Sequence, residues 1–216
     1  MLPDSHSLDA RMQRTLNADL GQPRFKVWTR TGDLLIWSGI AGAMVGQWLY
    51  GFVFEQPVRM QMVSLMIEAL AVAQLYHLAL KLVTGRDGPD NGTGAGVMGG
   101  PGVRAWRQFP AGTPSGHATS AYALLGVAVS FIEQPWARVA LHLGALAFSV
   151  SLVVDNYHFV SDVLWGAALG YGVARWVVRR RSTPGVAHWY DDVAVVPLVD
   201  PWRQGGGIGI FFPSPI

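Results

Sequence analysis

Residues 34–54, LLIWSGIAGAMVGQWLYGFVF, run for 21 positions without a charged side chain. About 20 apolar residues wound as an α-helix cover the hydrocarbon core of a bilayer, so this run predicts a membrane span. Four further apolar runs follow at 60–80, interrupted by Glu68 and ending at Lys81, and at 118–132, 136–154 and 159–178. Short loops between such runs imply antiparallel neighbours, and in lipid only helices or closed barrels satisfy the backbone. The expected fold class is therefore all-α, a polytopic membrane helical bundle of about five transmembrane helices. Only 14% of the 216 residues are charged, against about 25% in an ordinary soluble domain. Within the first run Ser38, Gly42 and Gly46 recur every four residues, a small-residue stripe of the kind that lets a second helix come close.

The segments flanking the bundle read differently. In residues 1–32 there is no secretory apolar core, but Leu8, Met12, Leu16 and Leu20 recur every four residues behind the capping candidates Asp4, Ser5 and Ser7, with Gly21 as a stop. That pattern predicts an amphipathic helix lying on the membrane surface or on the bundle. Residues 33–181 form the membrane-embedded domain, and 182–216, rich in Gly and Pro, are expected to be an extended tail. The loop 85–113 holds nine glycines and no helical pattern, which marks a functional loop or a disordered one. With no cysteine there is no disulfide, thiolate metal site or cysteine nucleophile, and 16 basic against 14 acidic residues is too even for a nucleic-acid surface.

Ionisable groups are costly in lipid, so those at the ends of spans are candidates for function. Lys81 with Arg86, Pro114-Ser115-Gly116-His117, and His158 with Asp162 all fall at ends that an up-and-down bundle brings to one face. Pro and Ser suit a helix start, Gly lets a ligand approach the backbone, and the unsatisfied amides with the helix dipole favour an anion such as phosphate. His158 and Asp162 stand one turn apart, the arrangement of a base and the carboxylate that orients it; the pair also suits a metal, although no third or fourth ligand is evident beyond His117. His77 lies one turn before Lys81 and is a further candidate for lining the site, or a packed histidine bonded to a neighbouring helix. Glu68, some 20 Å down the helix from Lys81 at 1.5 Å per residue, is too remote for the site and is expected to find a polar partner inside the bundle. His142 should lie near the opposite membrane face.

Lys81…Pro89, the tetrapeptide at 114–117 and His158-x-x-x-Asp162 together resemble the three signatures of the type 2 phosphatidic acid phosphatase (PAP2) superfamily, and the stretch 157–171, YHFVSDVLWGAALGY, resembles its last core helix. The resemblance implies a metal-independent phosphatase acting on a lipid phosphate or a polyprenyl phosphate or diphosphate, with no cofactor. It further implies that His158 is the nucleophile that becomes phosphohistidine, that Asp162 orients it, that His117 is the general acid, and that Ser115, Gly116 and Lys81 bind the phosphoryl oxygens. The expected partners are a membrane lipid substrate and the bilayer, and the expected location is a multi-pass protein of a bacterial inner membrane.

Two arginines of the family pattern are missing: Gly88 precedes Pro89 where the first motif has Arg, and Leu152 follows Ser151 where the third has Arg. Each charge-assisted hydrogen bond contributes about 1.5–3 kcal/mol, so a substitute is expected. Arg86 is the nearest, with Arg104 and Arg107 in the glycine-rich loop as alternatives; these two also suit anionic head groups. The competing readings are a head-group phosphotransferase of the sphingomyelin-synthase type and a degenerate, non-catalytic member.

Overall fold

The computed structural model describes residues 8–20, 30–89, 96, 98–101, 112–181, 194–200 and 205–211. Six helices account for most of them: α1 (Leu8–Leu20), α2 (Arg30–Val53), α3 (Pro57–Thr84), α4 (Gly116–Phe131), α5 (Pro135–Val154) and α6 (Val160–Arg181). Prolines open α3 and α5 at the first helical positions, where the missing N–H costs nothing. α3 stops at Gly85, whose left-handed backbone lets its N–H close on the Lys81 carbonyl. A Cβ there would meet the Gly100 carbonyl oxygen at 2.4 Å, so glycine is required where the 98–100 strand of the loop folds back.

The core is built by α3, α4 and α6. Leu65 and Ala69, Val127, and Ala174, Val177 and Val178 form one buried cluster at the end away from Lys81. A second, Ala118, Leu152, Val153 and Val163, packs with Leu16, Ile36, Phe148 and Tyr157 near the start of α4. The closest approach is between α4 and α6, where Gly166 and Gly170 sit one turn apart. A Cβ on Gly170 would lie 2.1 Å from the Thr119 carbonyl oxygen, and one on Gly166 would lie 2.5 Å from that of Ser115. Gly170→Ala should push these helices apart and cost about 1–3 kcal/mol by overpacking, read as a lower midpoint of thermal unfolding in detergent; an unchanged midpoint would mean that the contact is slack.

Several expectations are corrected. Among the described residues the stripe in the first apolar run meets no other helix: Ser38, Gly42 and Gly46 are exposed, and a Cβ on either glycine would meet nothing within 4 Å. α1 forms where the pattern predicted, with Ala10 and Gln13 buried and Leu16 against the second cluster, while Leu8 and Met12 of the same stripe point outward. Its polar contacts decide this, since Gln13 donates to the Val153 carbonyl and to Asn156 Oδ1. The partner of Glu68 is Arg181, 3.2 Å away at the exposed end of α6 rather than inside the bundle. His142, in the half of α5 away from the site as expected, is exposed. Within the segment expected to be extended, the described residues form two antiparallel strands, β1 (Ala194–Asp200) and β2 (Gly205–Phe211), which leaves that expectation standing.

By length and composition, two of the described helices, Pro57–Thr84 and Pro135–Val154, are long and apolar enough to cross a membrane. α2 dilutes its apolar run with glycine and Gln47, α4 has 16 residues, and α6 carries Asp162, Arg175 and three terminal arginines.

Candidate active site

Antiparallel packing brings the starts of α2, α4 and α6 and the ends of α3 and α5 to one end of the bundle, and most of the buried charged side chains among the described residues converge there. Ser115 caps α4: its hydroxyl accepts the Ala118 N–H at 3.3 Å, while its own N–H donates to the Asp162 carbonyl at 2.8 Å and so ties the starts of α4 and α6 together. Gly116 then occupies the first helical position, where no preceding turn exists to accept its N–H. Its lack of a side chain serves His77 directly, because a Cβ would lie 2.9 Å from the His77 ring. The space expected for a ligand beside Gly116 is thus partly filled by an imidazole.

His77 and Lys81 stand one turn apart on α3, both buried, and Lys81 is close enough to Asp162 and His158 to act on them electrostatically. His158 does not belong to α6. It sits on the turn before it, held by the N–H groups of Tyr157 and His158, both of which donate to the Leu152 carbonyl. Leu152, at the position of the missing motif arginine, is itself wholly buried in the second core cluster. The turn passes through Asn156 in the left-handed region (φ 59), a conformation asparagine adopts more readily than most residues, and Gln13 of α1 clamps it.

His158 is completely buried, and neither ring nitrogen finds a hydrogen-bond partner among the described residues. Burial lowers its pKa well below that of ordinary imidazole, with His117, Lys81 and His77 acting in the same direction. The expected pairing with Asp162 is a proximity, Nδ1 to Oδ2 at 4.0 Å, which is too long for a hydrogen bond. The Asp162 carboxylate is committed elsewhere: Oδ1 accepts from Arg86 Nη1 at 2.7 Å and from the Thr113 hydroxyl, and Oδ2 accepts the Phe159 N–H at 3.0 Å.

Arg86 departs furthest from its expected role. Its Nε donates to the Gly96 carbonyl, Nη1 to Asp162, Thr113 and Ser161, and Nη2 to Asp9 of α1 at 2.6 Å. The guanidinium also lies over the Phe159 ring, 4.7 Å from its centroid. A fork of five donors so fully engaged inside the protein is a brace between α1, the loop and α6 rather than a hand held out to phosphate. Asp9 completes the brace by accepting from the Ser161 hydroxyl and N–H. Burial opposes its charge, but the bonds from Ser161 and Arg86 outweigh this and hold its pKa below the usual carboxylate value. Arg104 and Arg107 lie outside the described residues.

His117 projects from the first turn of α4, its ring centroid 6.0 Å from that of His158. Its Nε2 is 3.2 Å from Asp33 Oδ1 on α2, and Asp33 Oδ2 accepts from the Tyr157 hydroxyl, also at 3.2 Å. Burial first, then Asp33, raises the Tyr157 pKa to about 12, so the phenol stays protonated and donates. Asp9, Asp33, Thr113, Tyr157 and Ser161 were not singled out from the sequence. Asp33 had one visible signal, being the acid that immediately precedes the charge-free run.

Two imidazoles, a buried lysine and the start of a helix around one point can bind an anion, offer a neutral nitrogen nucleophile and supply a proton. A sequence model of the PAP2 superfamily matches residues 63–184, more than half of the chain. That stretch takes in Lys81, Arg86, the tetrapeptide at 114–117, His158 and Asp162, and stops short of Asp9 and Asp33. No curated protein and no solved structure matches the chain.

Proposed function

Because the chain belongs to the PAP2 superfamily, a family of phosphatases, we propose that it hydrolyses a lipid phosphate, or a polyprenyl phosphate or diphosphate, without a metal and through a phosphohistidine on His158. The observation that carries this reading is the approach of His117 to His158 beside the start of α4. One nitrogen base able to attack and one able to donate a proton flank the place where a helix start favours an anion.

In the proposed reaction Lys81 and the Gly116 amide hold the phosphoryl oxygens, with Ser115 shaping the turn. His158 Nδ1 lies on the Asp162 side, which leaves Nε2 to form a bond to phosphorus. The phosphorus–oxygen bond breaks with its electron pair on the leaving oxygen, and His117 protonates that oxygen. Water then attacks the phosphohistidine, giving a proton to His117 as the phosphorus–nitrogen pair returns to His158. Positive charge and amide dipoles facing the phosphoryl group supply the electrostatic stabilisation that a metal would otherwise give.

A lipid substrate is favoured by the surroundings. Large apolar side chains such as Leu49, Ile67, Leu75, Leu143, Leu164 and Trp176 point outward along the helices, a surface that water does not suit. A cleft of about 470 Å³ between α2, α3, α4 and α5 is lined almost wholly by apolar groups, among them Ile40, Met44, Met66, Leu125 and Phe148. We place α2 to α6 as the five spans in a bacterial inner membrane, with α1 at the surface and its Leu8 and Met12 facing the lipid.

The full chain, extracted in detergent, should release inorganic phosphate from one or more members of a panel of phosphorylated lipids, and EDTA should leave the rate unchanged while vanadate inhibits. Transfer of the head group to a lipid acceptor in place of phosphate release would support the phosphotransferase reading. Activity lost to chelation and restored by zinc would replace the phosphohistidine with metal-activated water.

A further inference from the structure

We propose that Asp33, at the head of α2, is a positioning residue that holds His117 with one chosen nitrogen toward the substrate; this rests on the phosphohistidine reading above. The carboxylate is fixed at both ends, Oδ1 against His117 Nε2 and Oδ2 under the Tyr157 hydroxyl, each at 3.2 Å. Neither oxygen can swing away without breaking the other bond. The imidazole is also boxed by rings, Tyr157 edge-on at 5.1 Å between centroids and Trp37, one turn along α2 from Asp33, at 5.9 Å.

The titratable groups around His117 come from every element packed near it: Asp33 from α2, His77 and Lys81 from α3, and Tyr157 and His158 from the turn before α6. Asp33 is the carboxylate in contact with the ring. The others are an ammonium, two further imidazoles and a phenol, and none of them is an anion that would favour the imidazolium that a general acid must be before it acts. With the Nε2–H donated to the Asp33 carboxylate, the proton that moves is the one on Nδ1. It passes to the leaving oxygen as the phosphorus–oxygen bond breaks, and the lone pair this leaves on Nδ1 then takes a proton from the attacking water. Asp33 keeps its charge throughout. It orients one ring for both half-reactions, the task a carboxylate performs for histidine in triads.

The position lies outside the stretch matched by the family, so membership does not supply this role. It falls instead to α2, whose head packs over the start of α4.

The test compares leaving groups. With purified full-length protein, Asp33→Asn should lower kcat for an alkyl phosphate, phosphatidic acid in mixed micelles, by about 30-fold or more, since general acid catalysis contributes about 10²–10⁴. The KM should stay within about twofold, and the pre-steady-state burst of phenolate from p-nitrophenyl phosphate, which departs unprotonated, should slow less than about threefold, while the later attack of water slows with either substrate. His117→Asn should show the same selectivity, and the double variant should be no slower than His117→Asn alone. Tyr157→Phe, which keeps the ring and frees one oxygen of Asp33, should give a smaller loss of the same pattern, and it decides the matter if Asp33→Asn does not fold. Equal slowing of the alkyl phosphate turnover and of the phenolate burst, no loss in either, or additive losses in the double variant would overturn the role of Asp33. These results are distinct from persistent turnover in His158→Asn, which would remove the phosphohistidine reading itself.

Discussion

His158→Asn is expected to abolish turnover with every substrate, whether alkyl or aryl phosphate. The reason is geometric, because His158 is the imidazole placed beside the start of α4 with no hydrogen bond to hold its lone pairs, and asparagine has no nitrogen lone pair to offer phosphorus. Loss of a covalent nucleophile removes the whole accelerated route, so the expected fall is about 10⁴-fold or more. Acid-quenched labelling with a phosphorus-labelled substrate should find an acid-labile, base-stable adduct in His117→Asn and none in His158→Asn. The pH dependence follows from the same burial. Attack needs the neutral ring, and the lowered pKa keeps His158 neutral at pH values where free imidazole is already protonated. The acid limb of kcat/KM that belongs to it should therefore lie well below pH 6.5. Its contribution to stability has the matching sign: the unfolded chain binds the proton first, so this contribution is present above the unfolded pKa and fades as pH falls through that value. A limb at or above pH 6.5 assigned to His158 by its loss in a variant would contradict the placement.

Arg86→Ala should be the most destabilising single change in the site, by about 3–5 kcal/mol, because it strands buried charge on the other side of a broken pair. Asp162 and Asp9 would both lose their cation, at 2.7 and 2.6 Å, and the loop would lose its tie to Ser161 and Thr113. Lysine is not an adequate replacement, since one ammonium cannot reach Gly96, Asp9 and Asp162 from a single stem. Arg86→Lys should thus fall nearer to alanine than to wild type when thermal unfolding is followed in detergent. Asp9→Asn should cost less, because Asp162 remains paired. Gly88→Arg should not rescue Arg86→Ala: position 88 is buried, and a guanidinium there would need partners of its own. Normal unfolding of Arg86→Ala, with weaker phosphate inhibition as its one defect, would return Arg86 to the role of a direct phosphate ligand.

The bundle, its helix boundaries and the end at which chemistry gathers were legible because apolar period, proline starts and glycine stops are local signals. What was illegible depended on which face meets which neighbour. Ser38, Gly42 and Gly46 have the same four-residue spacing as Gly166 and Gly170, yet only the second pair lies against another helix. Spacing tells which residues share a face and is silent on what that face touches. The same limit holds for α1, whose stripe allowed either the membrane surface or the bundle, and whose contacts through Asp9 and Gln13 lie off that stripe. For His158 and Asp162 the one-turn distance assumed helix throughout, whereas α6 begins at Val160 and the histidine sits on the turn before it. Asp33 was within reach of the sequence, since an up-and-down bundle puts the start of the first span at the same end as the start of the third. Arg86 was found by its proximity to a vacant position, and its engagement with carboxylates 77 residues upstream and 76 downstream is information no local pattern contains.

Those two separations also set an order in time. Chains are made from the N terminus at about 5–20 residues per second, and earlier segments are free to fold first. When Arg86 emerges, Asp9 already exists, whereas Asp162 follows only after roughly 4–15 s at that pace. Without Asp9, the guanidinium would wait through that interval for either carboxylate of its brace. With Asp9 in place one of the two is present from the start, and the arrival of Asp162 completes the brace. A nascent chain lacking α1 would therefore meet its difficulty during biogenesis, before there is any completed enzyme whose stability could be measured.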